Sequence, residues 1–375
     1  MIFFHRLIDI VKGLLFVSIP SLVVLFVLLE VFFRFVIPAA QKPWVIFDRE
    51  NLMLRSDEKR RVGGIYTIGK LADVKARWRT NNYGWNSSID YVEGNPGQRL
   101  VCLIGDSFIR ALQVDVDKSV SSLLRDQLNT VSTEYQVYSF GHDGAPLSQY
   151  LHISRYVNRH FSPETLVFLL IHNDFDESVA DLVSKPYFLQ LRLNGAEVRE
   201  VQPSERPLYQ FLTYSALFRY LYSNLRLARF HFGLERKTGD FNANVDVAAV
   251  HKNRRIVRNA AEYVMRALKN ENPGKRVLFV MNAPLNDIHD DRLAESSVLW
   301  VNEMVRDICE HKELECLDLT TAFAADYARN RHRFTFTDDG HWNEYGHRVA
   351  SEAVLAQLMS HQDQTPLIRE GRRAR

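Results

Sequence analysis

The chain has 375 residues, which allows one large domain or two or three small ones at roughly 100 to 200 residues per domain. Its 46% hydrophobic and 25% charged residues exclude a mostly disordered, collagen-like or coiled-coil chain. Lysine and arginine number 47 against 45 aspartate and glutamate. The net charge of +2 provides no strong field for nucleic acid, so we exclude that class of partner.

The chain begins with a long apolar segment. No charge occurs in the 17 residues that follow Lys12, and the apolar character continues to residue 37. A helix over residues 13–37 is about 37 Å long, enough to cross a hydrocarbon core of about 30 Å. Glu30 and Arg34 lie near its end at a spacing that lets them pair. The segment is too long for a signal peptide and no good cleavage site follows. We therefore predict an uncleaved membrane anchor, with a cleaved signal peptide or a buried helix as alternatives.

The orientation of this span is not fixed by the basic residues, because they flank both of its ends. Long domains translocate largely regardless of charge, so an exported body is permitted. We predict a single-pass membrane protein with residues 1–12 in the cytoplasm and the body of the chain outside it.

Three cysteines, Cys102, Cys309 and Cys316, are too few and too scattered for a disulfide framework or a four-ligand zinc site. A bridge between Cys309 and Cys316 is allowed, but buried free thiols are favoured. We predict no metal and no cofactor.

Five short apolar runs, rich in branched or aromatic residues and ended by turn formers, are typical of strands buried on both faces of a parallel sheet. They are Leu100 to Gly105, Gln136 to Gly141, Leu166 to His172, Val277 to Ala283 and Glu315 to Thr320. Helical patterns lie between them, and a last helix is expected from Glu344 to Met359. This alternation predicts an α/β fold with helices on both faces of the sheet and the ligand beyond the carboxyl ends of the strands.

The domain organisation follows from these elements. Residues 38–98 form a connector that folds onto the body, residues 99–361 form the body, and residues 362–375 form a basic tail. About a hundred residues separate the third and fourth runs, which predicts a helical insert over about 178–250. Its aromatic stretch is best interpreted as ordinary packed helices, with a lid or a lipid-contacting surface as the alternative.

Reactive side chains follow several of the predicted strands. Ser107 comes after the first, at a strand-to-helix turn where a nucleophile is exposed and backbone N–H groups can bind an anion. Gly144 comes after the second and Asn173 after the third. Asp338 and His341 precede the last helix. The imidazole of His341 can act as the base for a serine, and the carboxylate of Asp338 can orient that imidazole.

In this order, the motifs Gly-Asp-Ser, Gly-His-Asp-Gly, His-Asn-Asp and Asp-Asp-Gly-His resemble those of the SGNH (GDSL-type) hydrolase superfamily. The string TNNYGWN before the first strand looks like membrane-anchored, exported members. The resemblance implies a flavodoxin-like three-layer αβα sandwich with a central parallel sheet. It also implies Ser107 as nucleophile, Gly144 and Asn173 as oxyanion donors, His341 as general base and Asp338 as its orienter. Gly141 in place of Gly144, and Asp339 in place of Asp338, remain open alternatives.

The residues and the resemblance together predict a serine esterase that removes acyl groups, acetyl above all, from a cell-envelope carbohydrate or a similar ester. The alternative is an O-acyltransferase acting on an exported polysaccharide, with a partner membrane protein delivering acyl groups. Nothing in the sequence identifies such a donor, so the esterase is favoured. Two further alternatives are a non-catalytic scaffold and a metal-dependent phosphoesterase built from Asp106, His142, Asp174 and His341.

Overall fold

The computed structural model describes residues 12–94, 97–195, 197–205, 209–225, 241–243, 245–337 and 339–360. The basic tail, all of the cytoplasmic N-terminus except Lys12, and Asp338 lie outside them. The chain divides into two compact units. One is drawn from the chain up to Lys42, from Ile65–Lys75 and from Pro207–Arg236, and the other comprises Pro43–Gly64, Ala76–Arg206 and Lys237–Arg375.

Thirteen strands and twelve α-helices are named here, in chain order, within the described residues. The strands are β1 (Val45–Asp48), β2 (Met53–Ser56), β3 (Gly63–Ile68), β4 (Val74–Arg79), β5 (Arg99–Gly105), β6 (Tyr135–Gly141), β7 (Thr165–Leu170), β8 (Gln190–Asn194), β9 (Glu197–Val201), β10 (Phe241–Asn242), β11 (Val245–Asp246), β12 (Arg276–Met281) and β13 (Glu315–Asp318). The helices are α1 (Ile19–Phe35), α2 (Ser107–Arg110), α3 (Val120–Val131), α4 (Tyr150–His160), α5 (Asp174–Glu177), α6 (Ala216–Arg219), α7 (Val247–Lys252), α8 (Arg254–Asn270), α9 (Leu285–His289), α10 (Leu299–Lys312), α11 (Thr320–Asn330) and α12 (Glu344–Ser360).

The predicted apolar segment is a helix. A π-helical turn over Leu14–Ser18 leads into α1, and a proline in the first turn of α1 suits that position because its missing N–H would have no intrahelical partner. The most apolar 18 residues of Leu14–Phe35 have a mean hydropathy of 2.6, and none of that stretch is buried in the protein. Arg34 Nη2 lies 2.5 Å from Glu30 Oε1, which confirms the expected pairing.

The five predicted apolar runs are the five strands of one sheet. Their order is β13-β12-β7-β5-β6, and each neighbouring pair is parallel. Read from β6 to β13 and numbered by their place in the chain, these strands run 2-1-3-4-5, which is the flavodoxin-like order. The predicted fold class is confirmed.

Alternation along β5 builds the two cores of this sandwich. Leu100, Cys102 and Ile104 belong to a buried cluster on one face of the sheet, together with residues of α4, α8 and α10. Val101 and Leu103 belong to the cluster on the other face, with residues of α3 and α12. Successive side chains of a strand point to opposite faces, so an apolar strand requires helices on both.

The end of the predicted connector packs on the edge strand β6. The hydroxyl of Tyr91 accepts a hydrogen bond from the Ser139 N–H at 2.7 Å and donates to the Ser139 carbonyl at 2.9 Å. Trp85, within the TNNYGWN string, is buried against Phe140 and Tyr156. One phenol thus satisfies a backbone donor and acceptor that an edge strand leaves unpaired.

Two elements differ from the predicted pattern. The insert contains an antiparallel hairpin, β8 with β9, where helices were expected. Its first strand alternates Leu191 and Leu193 with Arg192, the period-two pattern of a half-exposed strand. The helix α11 was not predicted, because its one fully buried side chain, Phe323, provides little periodicity.

The expectation of free thiols at Cys309 and Cys316 is wrong. These residues form a disulfide with 6.2 Å between their Cα atoms, inside the usual range for a bridge. The end of α10 turns back toward β13 and brings the two together, a proximity that their spacing alone does not reveal. Cys102 is free and buried.

We expect the unreduced, denatured chain to expose one alkylatable thiol, that of Cys102, and the reduced chain to expose three. Mass spectrometry after alkylation measures the number. Cys316→Ser should lower the free energy of unfolding by about 2 kcal/mol, since a short closed loop removes modest entropy from the unfolded chain. Three reactive thiols without reductant would contradict the bridge.

Candidate active site

Parallel pairing gathers three of the predicted residues at one edge of the sheet. Gly105 at the end of β5 pairs with Gly141 at the end of β6, and β5 pairs with β7 on its other side. Ser107 therefore follows the central strand of the three, and Gly144 and Asn173 follow its two neighbours. The gap between β5 and β7 is the point where the strand order reverses, the place where such sheets bind ligands.

Ser107 is the first residue of the single-turn helix α2. Asp106 caps this turn, since its Oδ1 accepts a hydrogen bond from the Phe108 N–H at 2.9 Å. The Ser107 hydroxyl also lies 3.2 Å from Asp106 Oδ2. The turn ends at Ala111, whose φ of 51° is left-handed. A hydroxyl held at the start of a tight strand-to-helix turn is presented to the sheet edge rather than buried in the core.

The imidazole of His341 bridges Ser107 to a carboxylate. His341 Nε2 is 2.7 Å from Ser107 Oγ. On the other side of the ring, His341 Nδ1 bonds to Asp339 Oδ1, which also accepts the His341 backbone N–H at 3.0 Å. Asp339 thus occupies the orienting position for which Asp338 was predicted, and Asp338 lies outside the described residues. A carboxylate on Nδ1 fixes the tautomer in which Nε2 can accept a proton.

A closed loop presents this histidine. Thr335 and Trp342 form an antiparallel bridge at its base. The Asn343 N–H donates to the Phe334 carbonyl at 2.8 Å, and the Asn343 side chain bonds to the Arg333 carbonyl at 2.8 Å. These bonds pin both ends of the segment that carries Asp339 and His341, so the chain cannot move the base away without breaking them.

Aromatic packing sets the position of the ring itself. Phe108, the residue after Ser107, lies with its ring centroid 5.0 Å from that of His341 and 5.1 Å from that of Trp342. Trp342 is almost fully buried and donates its indole N–H to Asn282 at 3.2 Å. The serine turn and the histidine loop are therefore packed against each other as well as hydrogen-bonded.

Charge near the site favours the protonated imidazole. Burial acts to lower the pKa of His341, but the hydrogen bond to Asp339 and the charges of Asp339 and Asp106 outweigh it and raise that pKa above its usual value. Burial also raises the pKa of Asp106, against the hydrogen bond from Phe108 and the charge of His341. A positive charge that forms on His341 is thus stabilised by at least one adjacent carboxylate.

The two candidate oxyanion glycines differ in their surroundings. A Cβ on Gly141 would lie 2.2 Å from the Arg110 nitrogen, so a side chain there would collide with α2. Gly144 has a φ of 71°, and its carbonyl accepts a hydrogen bond from Lys185 Nζ at 3.1 Å. Gly141 thus serves the packing of the serine turn against β6, and the oxyanion role of Gly144 stays a prediction.

Asn173 directly follows His172 and lies at the N-cap position of α5. Its side chain is half-buried and makes no cap hydrogen bond in the described chain. The next residue, Asp174, stabilises this turn instead. Its Oδ2 accepts hydrogen bonds from the Ile171 N–H at 2.9 Å and the Tyr150 hydroxyl at 2.7 Å. The amide of Asn173 is left available for a ligand.

Sequence reasoning missed the structural roles of Asp174 and Asp106. Burial raises the pKa of Asp174, and the charge of Asp106 raises it further. The effect of one buried carboxylate on the other can be seen only after the strand ends are assembled.

The remaining histidines of the motifs have partners within the fold. His172 Nε2 bonds to Asn302 Oδ1 at 2.9 Å, and burial lowers the pKa of His172 to about 4. His347 accepts the Val120 N–H at 3.2 Å, and burial lowers its pKa to about 3. His142 Nδ1 lies 3.1 Å from the Asp143 carbonyl oxygen. Both nitrogens of His341 are engaged by Ser107 and Asp339, which leaves neither to bind a metal.

No family model matches the chain, and no curated protein matches it. Among solved structures, it is similar to an acetyl xylan esterase, AlAXEase, at 13% identity over 68% of this chain and 98% of that one, with a TM-score of 0.41. It is similar to a lipase/acylhydrolase from Enterococcus faecalis at 12% identity over 70% and 97%, with a TM-score of 0.39. It is also similar to a carbohydrate acetylesterase family member from Sinorhizobium meliloti at 13% identity over 71% and 98%, with a TM-score of 0.35.

A fluorophosphonate probe should label this protein at Ser107, because a neighbouring imidazole makes a serine hydroxyl nucleophilic. Labelling should be lost in Ser107→Ala and strongly slowed in His341→Ala. Ser132→Ala removes a serine just before β6, at the amino end of that strand and away from the carboxyl ends that carry the site. This variant should label normally. Intact-mass analysis and peptide mapping measure the adduct. An adduct that persists in Ser107→Ala would remove this serine from the role.

Proposed function

We propose that this protein is a serine esterase that removes acyl groups, with acetyl as the expected group, from a carbohydrate of the cell envelope. The observation that carries the proposal is the 2.7 Å contact between Ser107 Oγ and His341 Nε2, with Asp339 on the far side of the ring. A hydroxyl, an imidazole and a carboxylate in this line are the parts that acyl transfer through a serine requires.

In the proposed reaction, His341 takes the Ser107 proton as Oγ attacks the ester carbonyl carbon. The resulting oxyanion is stabilised by the backbone N–H groups of Ser107 and Gly144 and by the Asn173 amide. Collapse expels the alcohol, which receives the proton from His341 and leaves an acyl group on Ser107. Water then attacks the carbonyl carbon of the acyl-enzyme while His341 takes a proton from it. The second tetrahedral intermediate collapses, the acid leaves, and His341 returns the proton to Ser107 Oγ.

The motifs support an ester of a carbohydrate as the substrate. They resemble those of SGNH hydrolases, and several solved structures similar to this chain are named as esterases of acetylated polysaccharides, among them one active on acetylated mannans. That activity belongs to those proteins, and its transfer to this chain is part of the proposal.

We also propose that the protein is anchored by Leu14–Phe35 with its catalytic unit outside the cytoplasm. Two observations support this. The disulfide between Cys309 and Cys316 suits an oxidising compartment. The end of α1 is packed into a folded unit, since Phe33 and Ile37 contact its small core, and cleavage of a signal peptide after the apolar segment would remove Phe33 from that core.

Ser107→Ala should abolish turnover of acetylated oligosaccharides and of small acetyl esters. Asn173→Ala should be severely but incompletely impaired, because one lost oxyanion donor costs about 2.7 to 4 kcal/mol of transition-state stabilisation, or roughly a hundredfold to a thousandfold in kcat. Asn330→Ala, at the exposed end of α11, is the matched control and should retain activity. Steady-state kinetics on the purified full chain measure all three.

Unchanged turnover in Ser107→Ala would end the assignment. The same assay, repeated with added deacetylated oligosaccharide, separates hydrolysis from transfer. Free acetate as the dominant product supports the esterase, whereas acetylated acceptor as the dominant product assigns the same three residues to an O-acyltransferase.

The acidic limb of the pH profile should report His341. The base must be neutral, so kcat/KM falls as the pH drops through the raised pKa of this histidine. Asp339→Asn removes the hydrogen bond and charge that raise the pKa, so the limb should move to lower pH while kcat falls. Asp338→Asn is the matched control and should leave the limb in place. A shift in Asp338→Asn and none in Asp339→Asn would return the orienting role to Asp338.

A further inference from the structure

The carboxylate of Glu30 joins the apolar helix to the insert. It accepts hydrogen bonds from the Ser215 hydroxyl at 2.8 Å, the Ala216 N–H at 2.9 Å and the Leu217 N–H at 3.0 Å. These donors form the first turn of α6, and Glu30 also pairs with Arg34. A carboxylate near the end of a membrane span is thus supplied with four partners, which is what a charge at that depth requires.

Further contacts make the end of α1 and residues 209–225 of the insert one folded body. The rings of Phe33 and Tyr220 stack with centroids 3.8 Å apart. The Asn224 side chain accepts the Ala40 N–H at 3.0 Å and donates to Thr67 Oγ1 at 3.0 Å. This part of the insert is therefore fixed to the span through packing as well as through Glu30.

The position of Glu30 along the helix sets the depth of the attached segment. At about 1.5 Å per residue, Glu30 lies about 24 Å from Leu14 along the axis, inside a hydrocarbon layer of about 30 Å that begins near Leu14. The turn docked on Glu30 therefore lies close to the boundary between hydrocarbon and headgroups.

The outward side chains of this segment suit that boundary. Phe211 is 61% exposed, Tyr214 57% and Tyr222 53%, and Leu212 is also exposed. Residues 209–225 contain one charged side chain, that of Arg219, and it is buried and donates to the carbonyls of Thr213 and Tyr214. A helix facing water carries polar groups on its outer face, whereas tyrosine and apolar residues are enriched at membrane interfaces.

We propose that residues 209–225 form an interfacial membrane element, fixed to the span by Glu30, whose side chains of Phe211, Leu212, Tyr214 and Tyr222 contact phospholipid. The segment that carries these side chains is attached to α1, whose apolar surface is unburied, which makes lipid their occupant. The proposal rests on the membrane anchorage proposed above and is independent of the esterase chemistry.

The test uses nitroxide labels on cysteines that replace Phe211, Tyr214 or Tyr222, one at a time, in the full chain. The proteins are reconstituted into vesicles of phosphatidylcholine and phosphatidylglycerol. Power-saturation spectroscopy then compares collisions with oxygen, which concentrates in lipid, against collisions with a water-soluble nickel chelate. Leu25→Cys reports the span. Val131→Cys, a 56% exposed valine of the other unit, is the matched apolar control.

We expect the ratio of oxygen to nickel accessibility at positions 211, 214 and 222 to approach that at Leu25 and to exceed that at Val131 severalfold. Ratios equal to that at Val131, with Leu25 in lipid, would overturn the interfacial element and leave the anchor intact. Shielding from both reagents would indicate contact with a second copy of the chain and would equally overturn it. A water-exposed label at Leu25 would overturn the anchor and this proposal together.

Discussion

Parallel pairing of β5 with β6 and β7 is the constraint on which the candidate site depends. The carboxyl ends of parallel strands lie at the same edge of the sheet. Residues that follow different strands therefore meet there, although they are far apart in the chain. The register aligns Gly105 with Gly141, and these small residues leave room for α2. The serine turn can then sit directly over the end of the central strand, where the loop that carries His341 reaches it.

Several carboxylates lie near the imidazole of His341, and their charges raise its pKa. Asp106 and Asp174 are buried, and burial raises the pKa of both. Hydrogen bonds from backbone N–H groups and from Tyr150 offset part of this cost. The charges of Asp339 and Asp106 stabilise a cation that forms on His341 during proton transfer.

In the smaller of the two compact units, the carboxylate of Glu30 holds separate elements together. Glu30 lies in a segment that otherwise lacks polar groups, and its partners are the first turn of α6 and Arg34. The end of this helix is part of a folded unit, which supports the proposed anchor. The proposed anchor rests on the apolar length of this segment, and the proposed interfacial element is attached to it by the partners that Glu30 requires.

The sequence alone determined the fold class, because five apolar runs separated by helical patterns admit few arrangements other than a parallel sheet covered on both faces. It also determined which blocks follow the strand ends, and so brought Ser107 and His341 together in the prediction. Only the tertiary structure showed the contact between Asp339 and His341, since the pattern of a loop does not reveal where its side chains point. It alone revealed the bridge between Cys309 and Cys316, and it alone joined Glu30 to α6. Local periodicity specifies the elements, whereas pairings across long stretches of chain depend on how those elements pack.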